Sequence, residues 1–312
     1  MKIESTREAY GEALVEIGGK NKNIVVLDAD VSVSTKTDKF AKAYPERFFS
    51  VGIAEQNLVG IAAGFALCGK IPFVSAYAAF CPGRSFDQIR NTVAVSNIDV
   101  KIVSTHAGVT TGEDGVSHQS IEDIALMRSI PNMKIVVPCD SIETKKAVEA
   151  ISNVKGPVYM RLTRINTPTI LNEDYEFEIG KAVVLNEGSD AAIFATGLLV
   201  SEGLKAVEKL KNEGISAALV NVHTIKPLDE KTVIEIAKKV KLVVTLEDHN
   251  IIGGLGSAVA EILAENSIKT KMKRIGVADK FGESGEPIEL MKEFGLDSEH
   301  VVDVIKSLMV DK

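Results

Sequence analysis

Short apolar runs alternate with stretches of helical period along most of this chain. Residues 24–27, 71–76, 100–105, 134–137 and 157–162 read as buried strands bounded by turn signals. Between them, Ala9, Ala13, Leu14 and Ile17 repeat at the spacing of one helix face, as do Leu58, Ile61, Ala62 and Phe65. Ser5-Thr6-Arg7-Glu8 is a capping box that opens the first of these helices. Phe86, Ile89, Val93 and Ala94 form the inner face of another, and further helices are predicted over 120–128 and 141–151.

The second half repeats the rhythm. Strands are predicted over 191–195, 217–221 and 242–246, with helices over 200–211 and 229–240. Strands alternating with helices over such lengths define an α/β fold: a doubly wound, mostly parallel sheet, followed by a second, smaller α/β domain. The polar, proline-bearing stretch 166–178 lacks periodicity and reads as a linker, giving domains over 1–165 and 179–312. Residues 31–38 are hydroxyl-rich and read as a loop. Gly253-Gly254-Leu255-Gly256 lacks the full dinucleotide-binding glycine spacing and reads as a tight turn into a closely packed helix.

Composition adds exclusions. The 312 residues suffice for two cores, and 45% hydrophobic with 25% charged residues is ordinary for a globular protein. A net charge of −7 with no basic block argues against nucleic acid or an anionic membrane as partner. No apolar run reaches membrane-spanning length, and Met1-Lys2-Ile3-Glu4 does not begin a signal peptide, so a cytoplasmic protein is expected. Cys68, Cys81 and Cys139 lack metal spacing and read as reduced, buried residues.

Several residues could carry chemistry. Glu55 stands among apolar and small residues at the start of a predicted helix. Either it caps backbone N–H groups, or it is a carboxylate held in a dry pocket. Gly60, Ala63 and Gly64 would let another body approach that helix closely. Asp28 and Asp30 close a predicted strand, where α/β folds place ligand sites. His106 and His118 share a long polar loop with Glu113 and Asp114, fitted to a polar substrate rim with His as proton shuttle more than to a closed metal site. Arg7 lies in a helix's first turn, where a phosphate would be attracted. Arg161 and Arg164 flank a strand end, one of them expected to face a site.

The strings GIAEQNLVGIAAG and GEDGVSHQSIEDIALMRSIPNMKIVVPCD, with IKPLD and HNIIGGLGSAV further on, resemble the transketolase family of thiamine diphosphate enzymes over essentially the whole chain. The resemblance implies a pyrimidine-binding domain followed by a transketolase C-terminal domain. It implies reversible transfer of a two-carbon glycolaldehyde unit from a ketose phosphate to an aldose phosphate, in the pentose phosphate pathway. Glu55 would serve the cofactor's aminopyrimidine, Phe80 would stack on that ring with Tyr77 and Phe86 close by, and Asp30 would lie beside it. His106, Asp114 and His118 would meet sugar hydroxyls, His106 and His118 also taking part in catalysis, while Arg7, Ser34 and Arg164 would grip the phosphate.

The diphosphate-binding motif of full-length members is absent from this sequence. The resemblance is therefore to the C-terminal subunit of a split, two-gene transketolase. That implies an N-terminal subunit carrying the diphosphate site and the Mg²⁺ ligands, an α2β2 heterotetramer with self-association of this chain, and no metal ligands here. The competing expectations are a deoxyxylulose-phosphate-synthase-like enzyme, the β subunit of a 2-oxo-acid dehydrogenase, and a non-catalytic partner that kept the fold.

Overall fold

The computed structural model describes residues 2–310. In chain order the strands are β1 (Ile3–Glu4), β2 (Ile24–Asp28), β3 (Phe48–Ser50), β4 (Ile71–Tyr77), β5 (Lys101–Thr105), β6 (Lys134–Val136), β7 (Val158–Arg161), β8 (Thr167–Pro168), β9 (Val183–Asn186), β10 (Ala191–Ala195), β11 (Ala217–Asn221), β12 (Thr224–Lys226), β13 (Leu242–Asn250) and β14 (Lys271–Val277). Strands β2, β5, β10 and β11 are buried at every position, because helices cover both sheet faces. That is why they read as unbroken apolar runs rather than alternating ones.

The larger sheet has the order β12-β6-β7-β5-β4-β2-β3. All its neighbours are parallel except β12 with β6. The smaller has the order β14-β13-β10-β11-β9, parallel except where β9 meets β11. In the larger sheet the chain runs from β2 outward to β3, then returns across β2 to build β4 and β5 on the other side. A reversal of this kind leaves a crevice beyond the carboxyl ends of β2 and β4. Asp30, Glu55, Tyr77, His106 and Arg164 all follow or end strands at that edge.

The structure departs from the sequence pattern in places. Residues 31–38 are not a loop: they hold a short helix, Ser32–Thr35, and the first residue of another, Asp38–Ala43. The buried Asp28 carboxylate accepts hydrogen bonds from Val31 N (2.6 Å), Thr35 Oγ1 (2.8 Å) and Thr37 Oγ1 (2.9 Å), so the two threonine hydroxyls that helped the stretch look loop-like are spent internally. Thr167–Pro168, in the predicted linker, pairs antiparallel with Ile3–Glu4. Strand β12, from the second half of the chain, extends the first-half sheet at β6. Cys68 is exposed rather than buried; Cys81 and Cys139 are buried. No helix among the described residues is long and apolar enough to cross a membrane.

Candidate active site

Glu55 opens the helix Glu55–Leu67, and its N-cap Ala54 supplies no side-chain cap. The Glu55 carboxylate, 6% exposed, accepts from Arg84 Nη1 at 3.0 Å. The Arg84 guanidinium also lies 4.1 Å over the Phe80 ring. Arg84 comes from the short helix Cys81–Arg84, and Gln56 Nε2 donates to its carbonyl at 2.9 Å. One planar cation thus satisfies a buried carboxylate and stacks on an aromatic face.

Parallel register sets the next contacts. Tyr77 pairs with Thr105 across β4 and β5, so the residue after Thr105 emerges beside the Tyr77 ring. That residue is His106, its ring centroid 4.0 Å from Tyr77. Phe80 stacks on Tyr77 at 6.0 Å, and His118 meets Phe80 edge-on at 5.0 Å and Tyr77 at 6.3 Å. Tyr77, Phe80, His106 and His118 form one cluster. Phe86 packs against the hydrophobic core.

His106 is buried and has φ +58°, a left-handed conformation costing roughly 1–2 kcal/mol for a residue with a side chain. Thr111 Oγ1 donates to its carbonyl at 2.8 Å, and Thr105 Oγ1 pairs with its Nδ1 at 2.8 Å. Burial first, then the charges of Arg7 and Arg164, push its pKa down to about 3. His106 is therefore a neutral hydrogen-bonding imidazole near pH 7. His118 is half-buried, its Nδ1 2.9 Å from Ser117 Oγ.

Arg7, Ser34 and Arg164 come together, although they are distant in sequence. Arg7 donates from Nη1 to Ser34 O (2.8 Å) and from Nη2 to Arg164 O (2.7 Å), while its buried Nε has no partner. Burial and the Arg164 charge both lower its proton affinity, so an anion arriving here would relieve the strain of two adjacent cations. Arg164 Nη1 donates to Thr111 O and pairs with Glu113. Arg161 faces inward: Nε pairs with the buried Asp123 at 2.8 Å, and Nη2 donates to Asp248 O at 2.7 Å. Asp30, with φ +66°, and Asp114 are exposed at the rim.

Sequence reasoning missed Arg84, Gln119 and Asp248. Gln119 Nε2 donates to Val109 O, Gly112 O and Glu283 O, tying the histidine loop to the second half of the chain. A carboxylate at a strand's end, the signal that drew attention to Asp28 and Asp30, also describes Asp248. A cavity of about 480 Å³ borders Arg7, Lys36 and Lys145, but Glu55, Phe80 and both loop histidines lie outside it.

At its switch point the doubly wound sheet carries a buried glutamate, two aromatic rings and two histidines. The profile described as "Transketolase, pyrimidine binding domain" matches residues 4–169, and "Transketolase, C-terminal domain" matches residues 180–301. The chain belongs to the transketolase family, and within it matches the C-terminal subunit of split transketolases. It is 53% identical to a protein named as a transketolase C-terminal section from Methanocaldococcus jannaschii, covering 97% of this chain and 96% of that one. It is 43% identical to a 6-deoxy-6-sulfo-D-fructose transketolase subunit of a Clostridium species, covering 95% and 92%. A solved structure described as a split-gene transketolase, inactive beta4 tetramer, superposes with a TM-score of 0.92 at 48% identity, covering 98% of each chain. Against human transketolase, 37% identical, the chain covers 49% of the relative's length.

Proposed function

We propose that this chain supplies the pyrimidine-side half of a two-subunit transketolase, transferring a two-carbon glycolaldehyde unit from a ketose phosphate to an aldose phosphate. Thiamine diphosphate, when bound, supplies the carbanion chemistry of C–C cleavage. The observation that carries the reading is the Arg84 guanidinium seated on Glu55 and Phe80. It is a planar N–C–N group against a carboxylate and an aromatic face, which is what an aminopyrimidine presents, so these residues fit that group.

In this reading Glu55 holds a proton at N1′ of the aminopyrimidine, and Phe80 with Tyr77 provides its stacking surface. His106, His118 and Asp114 hydrogen-bond sugar hydroxyls, His118 also moving protons there, and Asp30 lies beside the cofactor. Arg7, Arg164 and Ser34 take the anionic end of the sugar. Among the described residues no group of three or more His, Cys, Asp or Glu side chains is placed to hold a metal ion. Mg²⁺ and the diphosphate site belong in this reading to an N-terminal subunit.

A partner is further supported by the surface beside Glu55. Ile53 is 76% exposed, Leu67 73% and Val95 69%, and a Cβ added at Gly60 or Gly64 would meet nothing within 4 Å. Of the small residues that the sequence marked for close approach, Gly60 and Gly64 leave room for another subunit, while Ala63 is buried in the core. An α2β2 assembly fits this surface.

The test mixes the purified chain with its N-terminal partner, thiamine diphosphate, Mg²⁺, xylulose 5-phosphate and ribose 5-phosphate. Sedoheptulose 7-phosphate is expected from the mixture and from neither chain alone. A complex that forms no sedoheptulose 7-phosphate would refute the assignment, and one that decarboxylates pyruvate would make this a dehydrogenase β subunit.

A further inference from the structure

The histidine loop is held from the other half of the chain. Asp248, 2% exposed near the end of β13, lies beneath the turn Val109–Asp114. Its Oδ1 accepts from Val109 N at 2.9 Å. Its Oδ2 accepts from Thr110 N at 3.4 Å and from Thr110 Oγ1 at 2.7 Å. The approach demands glycine at the preceding position: a Cβ on Gly108, φ +82°, would lie 2.0 Å from Asp248 Oδ2. Asp248 itself is anchored, since Arg161 Nη2 donates to its carbonyl.

The next residue in the turn passes this constraint to the site. Thr111 Oγ1 donates to the His106 carbonyl, and the Thr111 carbonyl accepts from Arg164 Nη1. Thus one carboxylate fixes two backbone N–H groups and a hydroxyl, and the following residue touches both a loop histidine and a phosphate-facing arginine. Two halves of a chain can be joined by any apolar contact. A carboxylate bonded to successive amides of one turn sets the orientation of that turn as well.

We propose that Asp248 is a positioning residue for sugar binding, acting through Thr110 and Thr111 on His106 and Arg164. The proposal rests on the transketolase reading for its substrate and gives the second half of the chain a part in the site. Asp248 touches no reactant; its effect is on where the loop stands.

The test uses Asp248→Asn, which keeps the shape but turns an amide NH₂ toward a cluster of donors, and Thr110→Val, which deletes only the hydroxyl bond. In the isolated chain, hydrogen exchange across 106–119 is expected to quicken about tenfold in Asp248→Asn, the equivalent of one lost hydrogen bond, and less in Thr110→Val. Exchange in β2, β4 and β10 should stay at the wild-type rate. In the assembled complex, KM for the ketose phosphate should rise about tenfold while kcat stays within about threefold and thiamine diphosphate affinity within about twofold. Thr110→Ser should restore wild-type values. Unchanged exchange at 106–119 would overturn the proposal, and so would exchange that quickens equally in β10, because Asp248 would then only be joining the two halves. The exchange result stands whether or not the wild-type complex proves to be a transketolase, so failure of the activity and failure of the positioning are separable.

Discussion

Glu55 and Arg84, 29 residues apart in sequence, form an ion pair at 3.0 Å, and the arginine stacks on Phe80. Any ring that uses Glu55 and Phe80 together must first displace this guanidinium. The arginine side chain is 52% exposed, which screens the pair. The pair and the stacking contact together are worth about 1 kcal/mol or slightly more. Arg84→Ala is therefore expected to tighten thiamine diphosphate binding to the assembled complex by about fivefold to tenfold. Titration of the complex with cofactor, followed by circular dichroism, measures it. Weaker binding in the variant would show that Arg84 helps hold the cofactor rather than occupying its place.

Glu55→Gln separates charge from shape. Glutamine fits the same space and can still accept from Arg84, but its amide cannot share a proton with a ring nitrogen. The variant is expected to keep its melting temperature within about 2 °C and to assemble with its partner, because one conservative change near a surface arginine costs little. Turnover should fall by about 10² to 10³, the range of general acid–base contributions. Steady-state assays of the complex decide it; wild-type turnover would remove Glu55 from the reaction.

Three arginines near the loop are expected to differ in what their loss costs. Arg161 is 5% exposed and answers the fully buried Asp123, so Arg161→Met would leave a carboxylate without its cation. Loss of one member of a buried pair costs roughly 3–5 kcal/mol, and thermal or urea unfolding of the chain alone should show it. Arg164→Ala removes a half-exposed side chain, so stability should hold while KM for phosphorylated sugars rises. Arg7→Ala lies between, since Arg7 also ties Ser34 to Arg164 through their carbonyls. Both of these variants should weaken phosphorylated substrates more than unphosphorylated ones. Equal effects on the two would reject the anion role.

The strands of this fold were legible because burial on both faces turns a parallel strand into an unbroken apolar run, as in 24–27 and 191–195. Pairing across distance was not. Nothing local in Thr224–Lys226 announces that it will extend a sheet built from the first half, and hydroxyls satisfied by Asp28 look the same in sequence as hydroxyls left to solvent. The site divides similarly. Carboxylates at strand ends carry a positional signal, which drew attention to Asp30 and was overlooked at Asp248. Arg84 had no such signal, because its meaning lies in contacts with Glu55 and Phe80 that only the fold creates. The choice between Arg161 and Arg164 likewise depended on Asp123, a partner that strand alternation could not name.

His223 offers a titration away from the proposed site. It is fully buried, its Nδ1 lies 2.9 Å from Thr224 Oγ1, its Nε2 has no partner, and Phe177 covers it at a centroid distance of 4.3 Å. Burial pushes its pKa down to about 4, with Asp229 pulling weakly the other way. The unfolded chain, with an ordinary histidine pKa of about 6.5, therefore binds a proton that the native state refuses between pH 6.5 and 4. Native stability from this group is complete above about pH 6.5 and is lost as pH falls toward 4. Glu143, held up to about 7 by burial, works in the opposite direction over part of the same range, so the whole-protein curve mixes the two signs. Subtraction isolates the histidine. His223→Leu should match wild type near pH 7.5 to within about 1 kcal/mol and gain on it progressively below pH 6.5, by roughly 2–3 kcal/mol at pH 4.5. Urea unfolding of both proteins across pH 4.5–8 measures the difference. A difference that stays constant over that range would mean that His223 is protonated equally in the native and unfolded states.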